Sequence, residues 1–403
     1  MKVAKIAFGA LLVTAVAATA GWFSLDKDAR AVLKTAPTNL DLLFWNQSQR
    51  DAAFRALDRL PFLVKSHAIP ASSTPMPLPP GAPLNLPVDV DAYMAGQRNA
   101  ALLVVQGGKL RLERYGLGFD SAGRWTSFSV AKSFTSTLVG AALRDGFIKS
   151  MDDKVSDYIP DMKGSAYDDV SIRQLLTMTS GVRWNEDYND PQSDVAQFNN
   201  HKPEDGVDAL VSYMRKLPRE APAGTRWHYS TGETNLVGSL LSHATKKSLA
   251  QYLSEKVWGP AGMAHDASWL LSKTGQEISG CCIQAATRDF ARFGLFIADG
   301  AMVNGQSIVP DGWLAEATTR RVAIDQPGRG YGYQWWTYDD GSYAAQGIFG
   351  QGIFIDPKRQ IVIASNGDWA GGAIDPTARD ARDAFYKVVQ KAVDDEAAAS
   401  AGH

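Results

Sequence analysis

Strand-like segments occur at both ends of the main region of this chain, and their separation constrains the fold more than any other feature. Residues 101–115 (ALLVVQGGKLRLERY) predict two strands that turn at Gly107-Gly108, a typical hairpin signal. Three more apolar runs come much later, at residues 342–348, 352–355 and 361–365. The stretch between has helical spacing with Gly and Pro punctuation. We therefore expect an α+β fold: one antiparallel sheet built from both ends of the domain, with flanking helices and an inserted, mostly helical region.

The sequence predicts four parts along the chain. Within the second part, residues 40–65 show apolar residues at helical spacing, and residues 70–87 are proline-rich, which favours an extended strap or linker. Asp375 and Pro376 are the expected N-cap and first residue of a C-terminal helix. The parts are an N-terminal segment, a helical and Pro-rich strap, the main domain and a tail, at residues 1–25, 26–87, 88–395 and 396–403.

The N-terminal segment has the pattern of an export signal. Lys2 and Lys5 precede an uncharged run from Ile6 to Leu25. Residues 18–20 (ATA) fit a small-x-small cleavage site, but the run is also long enough to span a bilayer, for which about 20 residues suffice. A cleaved signal peptide and a retained anchor both stay open. In either case we expect an exported protein, in the periplasm or on the outer face of the cytoplasmic membrane, with membrane contact only through this segment.

Composition excludes several classes of protein. The 403 residues carry a formal net charge of −2 with the two signs mixed, so there is no basic stripe for a nucleic acid. The six histidines form no HExxH motif, and we predict no metal or cofactor. The two cysteines, Cys281 and Cys282, are adjacent. Because closing a disulfide between neighbours strains the peptide, we interpret them as small buried hydrophobic residues.

Ser129 and Lys132 form the first candidate catalytic pair. They lie three residues apart at the start of a predicted helix, so the hydroxyl and the amine share one face. A serine needs a base to become a nucleophile, and a desolvated lysine can lose enough pKa to serve as that base. The motif alone is weak, since SxxK occurs often by chance. The alternative is an ordinary N-cap serine followed by a solvated lysine in the first turn of the helix, with no catalytic role for either.

Tyr229 is the candidate third group. It stands on the turn at residues 222–231 (PAGTRWHYST), ahead of a helical run. A phenol placed there can lie between the serine and the lysine and pass a proton to a leaving group. Taken alone, it would be interpreted as a tyrosine that packs its ring at a loop edge.

Together with further motifs, these residues resemble the class C β-lactamase-like hydrolases. The resemblance covers roughly residues 95–390. It implies a β-lactamase/transpeptidase-like fold and a hydrolase that forms an acyl-enzyme, with Ser129 as nucleophile, Lys132 as base and Tyr229 as third catalytic residue. The motifs that carry it, in chain order, are SxxK at 129–132, IRQLLTMTSG at 172–181, the turn at 222–230, ATRDFARFG at 286–294 and GIFGQ at 347–351.

Within that family, the chain is similar to the hydrolases of 6-aminohexanoate (nylon) oligomers. The shared pattern includes residues 185–191 (NEDYNDP) and 331–336 (YGYQWW). The resemblance implies that Tyr188 faces the substrate and that Asn199 occupies the place of a substrate-tuning residue. The alternatives are a loop tyrosine without a role and an ordinary solvated asparagine.

The sequence also departs from the family pattern. Class C β-lactamases have Tyr-x-Asn where this chain has Tyr229-Ser230-Thr231, so the asparagine that would hold a β-lactam amide is missing. A literal Lys-Thr-Gly begins at Lys273, but it lies in a polar loop, whereas the third motif must lie on the strand that lines the cleft. We therefore expect residues 346–351 to take that place, and Lys273 to have no catalytic role.

The segment before the strand at residues 352–355 differs from the nylon-oligomer enzymes at one position. Those enzymes resemble Gly-Ile-His-Gly-Gln there, and this chain has Phe349 in place of the histidine. We expect Phe349, Gly350 and Gln351 to contact the substrate, with NH groups of Ser129 and of this segment holding the oxyanion. Loss of the histidine favours esters over amides, because amides need more help at the leaving nitrogen.

These observations favour a serine hydrolase that acts through an acyl-enzyme on esters or amides of small carboxylic acids. No Gly-x-Ser-x-Gly elbow surrounds Ser129, and no histidine stands where a Ser-His-Asp triad would need it. Two alternatives stay open: a β-lactamase or D-alanyl-D-alanine peptidase, and a non-catalytic binding module that keeps the fold. The expected partner is a small-molecule ester or amide.

Overall fold

The computed structural model describes residues 21–35, 42–59, 64–198, 200–372 and 375–401. The strands in chain order are β1 Ser66–Ile69, β2 Asn99–Gln106, β3 Lys109–Tyr115, β4 Trp125–Thr126, β5 Ala267–Leu270, β6 Ile283–Ala285, β7 Met302–Val303, β8 Gln306–Ser307, β9 Val322–Ala323, β10 Arg329–Tyr331, β11 Trp336–Tyr338, β12 Tyr343–Gln346, β13 Gly352–Asp356 and β14 Ile361–Gly367.

Helices occupy much of the region between the strand groups. The α-helices are α1 Lys27–Lys34, α2 Gln47–Ala53, α3 Val90–Gly96, α4 Ala131–Arg144, α5 Val155–Tyr158, α6 Ile172–Leu176, α7 Asp194–Gln197, α8 Ala209–Met214, α9 Thr231–Thr245, α10 Leu249–Leu253, α11 Thr287–Ala298, α12 Trp313–Ala317 and α13 Pro376–Ala401. Short 3₁₀ turns occur at Leu42–Phe44, Leu57–Arg59, Phe128–Val130 and Pro160–Met162, and a π-helical turn at Ser254–Trp258.

The main sheet joins strands from both ends of the domain. Its order is β3-β2-β14-β13-β12-β11-β10-β9, and β2 pairs antiparallel with β14 so that Val104 lies opposite Ile363. The hairpin turn of β2 and β3 has both glycines at positive φ, a conformation that glycine adopts without steric cost. The predicted α+β arrangement is therefore confirmed, including the hairpin and the three late strands.

Alternation along the central strands explains how the sheet buries both faces. Side chains on one face, among them Leu103, Val105 and Ile353, belong to the main core under α11, which packs on β13 and β14. Those on the other face, such as Val104 and Ile363, pack against α13. Strands buried on both faces read as continuous apolar runs, which is what made β2 and β14 visible in the sequence.

The inserted region is mostly helical, as predicted. Its centre is the packing of α4 on α9, two helices whose N-termini lie close together. A second sheet with the order β1-β5-β6-β4 lies beside them. Sequence analysis did not predict this sheet, because its strands are too short, at two to four residues, to show a period.

The prediction of one helix over residues 40–65 is wrong. Its described residues form separate pieces, Leu42–Phe44, α2 and Leu57–Arg59. The helix α2 ends at Phe54, whose fully buried ring packs on Trp125, Phe128 and Phe349. Phe54 therefore faces the main core, whereas Leu57 belongs to a separate apolar cluster with Leu270, so the apolar residues do not form one continuous stripe.

The proline-rich stretch is an extended strap along the domain surface. Its backbone is tied at several points, with Gly81 N donating to Leu110 O at 2.9 Å and Met76 N donating to Gly262 O at 2.8 Å. At the other end of the chain, α13 continues to Ala401, so residues 396–401 are helical and not a tail. Glu396 on this last turn pairs with Arg111 at 2.7 Å.

The cysteine interpretation is only partly right: Cys282 is buried in the apolar cluster of Leu57 and Leu270 and Cys281 packs against it, but the two are not free thiols. The structure joins Cys281 to Cys282 in a disulfide between adjacent residues. Cys282 has a φ of 81°, a left-handed backbone conformation that few side chains adopt. The tight turn brings the two sulfurs together in spite of the strain.

Most of the predicted export segment, including the candidate cleavage site at residues 18–20, lies outside the described residues. Among the residues that the structure does describe, no helix combines the length and the apolar character needed to cross a membrane.

Phe54 tests whether the N-terminal segment is part of the domain core. Phe54→Ala should lower the free energy of unfolding by about 3–5 kcal/mol, the usual cost of removing a buried phenylalanine. Phe147→Ala is the matched control, because Phe147 is 38% exposed, and it should cost far less. Urea unfolding of both variants measures the difference. Equal losses would show that residues 42–59 add nothing to the core.

Candidate active site

The candidate nucleophile lies where the sheet-facing core meets the first long helix of the inserted region. Ser129 is the middle residue of the 3₁₀ turn Phe128–Val130, which runs directly into α4. Phe128 has a φ of 42°, a strained conformation for an aromatic residue, and its ring is held between Phe54 and Phe349. The packing therefore fixes a sharp bend that leaves Ser129 partly exposed.

Lys132 is buried one turn further along α4, with only 1% of its surface exposed. Its Nζ lies 3.3 Å from Ser129 Oγ, 3.0 Å from Thr231 Oγ1 and 2.8 Å from Gly280 O. Burial lowers the pKa of Lys132 to about 8, although the negative charge of Glu186 opposes the shift. The site therefore holds a lysine that can be a neutral amine near physiological pH.

The contact with Gly280 depends on the absence of a side chain. A Cβ at this position would stand 3.2 Å from Lys132 Nζ and 2.9 Å from the methyl group of Thr231, closer than ordinary packing allows. The turn is pinned on both sides, because Gly280 N donates to Asn235 at 2.9 Å and Thr135 donates to Ser279 O at 2.9 Å. The carbonyl of Gly280 is thus a fixed acceptor for the amine.

Tyr229 completes the predicted set, immediately before the N-cap of α9. Lys132 Nζ is 5.3 Å from the centre of its ring. The same ring stacks on Trp336, with 5.6 Å between the ring centres. Burial, with a contribution from the charge of Glu186, raises the pKa of Tyr229 far above its usual value, while a hydrogen bond with Ser129 opposes the shift. The structure therefore brings Ser129, Lys132 and Tyr229 together, with Tyr229 as a neutral phenol.

Tyr188 lies at the same site, but its hydroxyl donates to Glu186. Burial raises its pKa well above the usual range, and the charge of Glu186 adds to the shift. Asn199 lies outside the described residues, so its predicted role stays a prediction.

Glu186 is the residue that sequence reasoning missed. Its carboxylate accepts from Trp184, Tyr188 and both the NH and the hydroxyl of Thr231, the NH at 2.9 Å. Glu186 is part of the motif at residues 185–191, which the sequence analysis quoted without giving this glutamate a role. A lone glutamate in a polar loop, however, gives no indication of which helix it will meet.

Phe349 does not face the reacting groups, contrary to the prediction. Its ring is 5% exposed and packs against Phe54, Phe128 and the guanidinium of Arg50, which stands 4.8 Å from the ring centre. A phenylalanine suits this position because its neighbours on two sides are aromatic. The apolar ring of Phe349 is therefore not in a position to select esters over amides.

Two NH groups of the predicted oxyanion segment, those of Phe349 and Gly350, are also engaged. Gln351 is buried and its side chain accepts from Phe349 N at 3.1 Å while donating to Gly367 O at 2.8 Å. Gly350 N donates to Gly347 O at 3.4 Å. These contacts make Gln351 a brace for the turn and leave the NH groups of Phe349 and Gly350 without a free hydrogen.

The literal Lys-Thr-Gly motif is remote from this chemistry. Lys273 is exposed, and its ammonium donates to Asn200 at 3.1 Å. Thr274 donates to Asp208 at 2.6 Å. Across the ranges that the structure describes, no group of three or more His, Cys, Asp or Glu side chains could hold a metal ion.

Comparison with known proteins identifies the family. The model of the Beta-lactamase family matches residues 89–381, which span the main sheet, the inserted region and all three predicted catalytic residues. The chain belongs to the β-lactamase family. Residues 42–59, which supply Phe54 and Arg50 to the back of the site, precede the matched region.

Individual relatives point to one branch of the β-lactamase family. The 6-aminohexanoate-dimer hydrolase of Paenarthrobacter ureafaciens is 28% identical over 286 residues, which are 67% of this chain and 72% of that protein. A Bacillus anthracis protein with the provisional name 6-aminohexanoate-dimer hydrolase has a TM-score of 0.76 at 21% identity, covering 87% of this chain and 95% of its own.

A penicillin-binding protein from Bacillus halodurans has the same fold, with a TM-score of 0.58 at 18% identity over 74% of this chain and 99% of its own. The predicted fold class, the hydrolase class and the resemblance to 6-aminohexanoate-dimer hydrolases are therefore confirmed.

The lowered pKa of Lys132 predicts a pH dependence of hydrolysis. Only the neutral amine can accept a proton, and one unit below its pKa about a tenth of the groups are neutral. The value of kcat/KM on a p-nitrophenyl ester should therefore rise with pH up to about 8 and level off above it. A profile measured from pH 6 to 10, with the uncatalysed rate subtracted, checks this. A flat profile would exclude Lys132 as the base.

Phe349→His tests the corrected position of that ring. The new imidazole would be buried beside the Arg50 cation without a partner, so we expect the variant to lose about 1–3 kcal/mol of stability. The ratio of amide to ester turnover should stay unchanged, because the ring does not face the reacting groups. Thermal unfolding and kcat/KM on a matched ester and amide give the two measurements. A large rise in the amide ratio would place the side chain in the cleft after all.

Proposed function

We propose that this chain is a serine hydrolase that cleaves esters or amides of small carboxylic acids through an acyl-enzyme on Ser129. One observation carries the proposal: the amine of Lys132 lies 3.3 Å from Ser129 Oγ and is buried, with a pKa lowered to about 8. A serine beside a lysine that is partly neutral near physiological pH has the activated-nucleophile arrangement.

The chemistry follows from the positions of three groups. Ser129 Oγ forms a bond to the carbonyl carbon, and its proton passes to the lone pair of Lys132 Nζ. When the tetrahedral intermediate collapses, the bond to the alkoxy or amino group breaks, and that group takes a proton relayed through the Tyr229 phenol from the Lys132 ammonium. Water then attacks the acyl-enzyme by the reverse route, releasing the acid and restoring Ser129.

For the oxyanion we propose the NH groups of Ser129 and Ile348. Neither donates to another described residue. The two residues come close because Gly347 approaches the turn before α4, where a Cβ would stand 3.0 Å from Ser127 O. Two preorganised donors on one side of the nucleophile fit an oxyanion site.

The lining of the site favours linear substrates over β-lactams. Beside Tyr229 stand Trp227 and Trp336, both partly exposed, in edge-to-face contact at 6.2 Å. Residues 347–351 carry no cation that could hold a β-lactam carboxylate, and Thr231 replaces the asparagine of Tyr-x-Asn. The relative at 28% identity is named for the 6-aminohexanoate dimer. Esters are expected to react faster than amides, since their leaving groups need less protonation.

We further propose that the partner is a small-molecule substrate and that the protein acts outside the cytoplasm. The support for the location is the charge and hydropathy pattern of residues 1–25. Of the alternatives, a non-catalytic module is disfavoured. Burying a lysine costs stability, and a protein that only binds would gain nothing from that cost.

Labelling of Ser129 tests the proposed function. The purified full chain should react with a fluorophosphonate at Ser129, as located by peptide mass spectrometry, and should hydrolyse a short p-nitrophenyl ester. Ser129→Ala should abolish both while keeping the fold, since Ser129 is partly exposed and caps no helix, so the change should cost no more than about 1 kcal/mol.

The matched control is Ser121→Ala, an exposed serine of the preceding loop, which should keep full activity. Parallel assays with a linear amide and nitrocefin separate the substrate classes. Turnover by Ser129→Ala would contradict the nucleophile assignment, and faster hydrolysis of nitrocefin than of the ester would favour the β-lactamase alternative.

A further inference from the structure

Thr231 occupies an unusual place between two charged side chains. It is the first residue of α9, and its hydroxyl contacts Glu186 on one side and Lys132 Nζ, at 3.0 Å, on the other. No motif of the sequence assigned it a role, except that it stands where class C β-lactamases have the asparagine of Tyr-x-Asn. A threonine hydroxyl at this point raises the question of which way its single hydrogen points.

The hydrogen bonds accepted by Glu186 fix the direction of that hydrogen. Its carboxylate accepts four hydrogen bonds from Trp184 Nε1, the Tyr188 hydroxyl, Thr231 N and the Thr231 hydroxyl. Four donors use the lone-pair positions that two carboxylate oxygens offer. The group is therefore an ionised acceptor that cannot give a proton to any neighbour. Since a carboxylate only accepts, the hydroxyl hydrogen of Thr231 must point to Glu186.

The direction of the next bond follows. A hydroxyl has one hydrogen and two acceptor lone pairs. With its hydrogen used on Glu186, Thr231 Oγ1 can only accept from Lys132 Nζ. Gly280 O is a carbonyl and also accepts from the same nitrogen, at 2.8 Å. A neutral lysine amine has two hydrogens and one lone pair, so both of its hydrogens are taken by Thr231 and Gly280.

We propose that Glu186 and Thr231 are positioning residues that orient the lone pair of the Lys132 amine toward the hydroxyl of Ser129. The inference rests on the proposed function, because it deepens the role of the same site. The third neighbour of Lys132 Nζ is Ser129 Oγ at 3.3 Å, and the lone pair is the part of the amine left to face it. When Ser129 attacks, its O–H bond breaks, an N–H bond forms on Lys132, and Thr231 and Gly280 keep the hydrogens they already accept.

The pair also explains the departure from Tyr-x-Asn. An asparagine amide presents both a donor and an acceptor, whereas Thr231 held by Glu186 presents only an acceptor to the amine. The orientation of Lys132 here is thus imposed through the loop that carries Glu186. Neither positioning residue needs to touch the substrate.

The other titratable groups around Lys132 are phenols. Tyr229 faces it from the turn before α9, Tyr331 contacts the Tyr229 ring from β10, and Tyr188 is bonded to Glu186 in the neighbouring loop. Burial raises the pKa of all three far above the usual range, so they stay neutral. Glu186 is the negative charge that acts on Lys132, and its removal should make the ammonium easier to deprotonate.

A pair of substitutions at Thr231 tests the orientation. Thr231→Val keeps the shape but removes the acceptor, and we expect kcat/KM at the high-pH plateau to fall roughly 10- to 100-fold, part of what positioned proton transfer contributes. Thr231→Ser keeps the hydroxyl and should stay within about threefold of the unaltered protein. A role that is only structural would not be rescued by the smaller serine. Equal activity of the valine and serine variants would overturn the proposal.

Glu186→Gln tests the charge. The amide cannot accept on its nitrogen, so the plateau should fall, and the rising limb of the kcat/KM profile should move to lower pH because the charge that held the proton on Lys132 is gone. The matched control is Glu233→Gln on α9, the helix that begins at Thr231. Glu233 is a buried carboxyl that accepts a hydrogen bond from Ser180 and not from Thr231. Burial raises its pKa to about 8, so the amide closely replaces a neutral acid, and we expect no shift of the limb.

The unaltered protein and Ser129→Ala complete the experiment and keep the two proposals apart. If the unaltered protein turns over the ester and Ser129→Ala does not, the proposed function stands, and the variants judge the positioning pair alone. An unmoved limb in Glu186→Gln together with an unchanged plateau in Thr231→Val would then reject the pair. Circular dichroism identifies a variant that fails to fold. If Thr231→Val is that variant, the other two decide: full activity of Thr231→Ser with a shifted limb in Glu186→Gln supports the pair, and an unshifted limb rejects it.

Discussion

The burial of Lys132 is the constraint on which the site depends. An ammonium removed from water is costly, and the fold meets that cost by lowering the pKa and by placing fixed polar groups around the amine. Each comes from a different element: Thr231 from the start of α9, Gly280 from the turn before β6, and Ser129 from the turn that enters α4. The inserted region therefore has to pack as one unit before the lysine has any chemistry to offer.

The sheet and the N-terminal segment supply the rear support of that unit. Phe54, Phe128 and Phe349 meet at ring distances of about 5 Å, and such aromatic contacts add stability beyond simple burial. Arg50 extends the support, since it lies over Phe349 and pairs with the buried Asp368 at 2.9 Å. Residues outside the matched family region thus hold the strained backbone just before the nucleophile.

Local patterns predicted much of this molecule. The hairpin at Gly107-Gly108, the late strands and the pair of Ser129 and Lys132 could be predicted because each depends on spacing within a few residues. Glu186 and Gly280 could not, because their contacts with Lys132 and Thr231 arise only when distant loops meet. The same limit explains the error at Phe349. Its position in the chain was inferred correctly from a motif, but the direction of its ring depends on Phe54 and Arg50, some 300 residues earlier.

The pairing of β2 with β14 has a consequence for how the chain folds during its synthesis. A chain made from its N-terminus releases Ser129, Lys132, Glu186 and Tyr229 from the ribosome well before residues 361–367, so every reactive side chain waits for the last strand. Until then the inner edge of β2 (NAALLVVQ) is an open, apolar template for foreign strands. The nascent chain is therefore prone to aggregation for most of its synthesis, and a translation product that lacks β14 carries every catalytic side chain but leaves the β2-β3 hairpin unjoined to β9–β13.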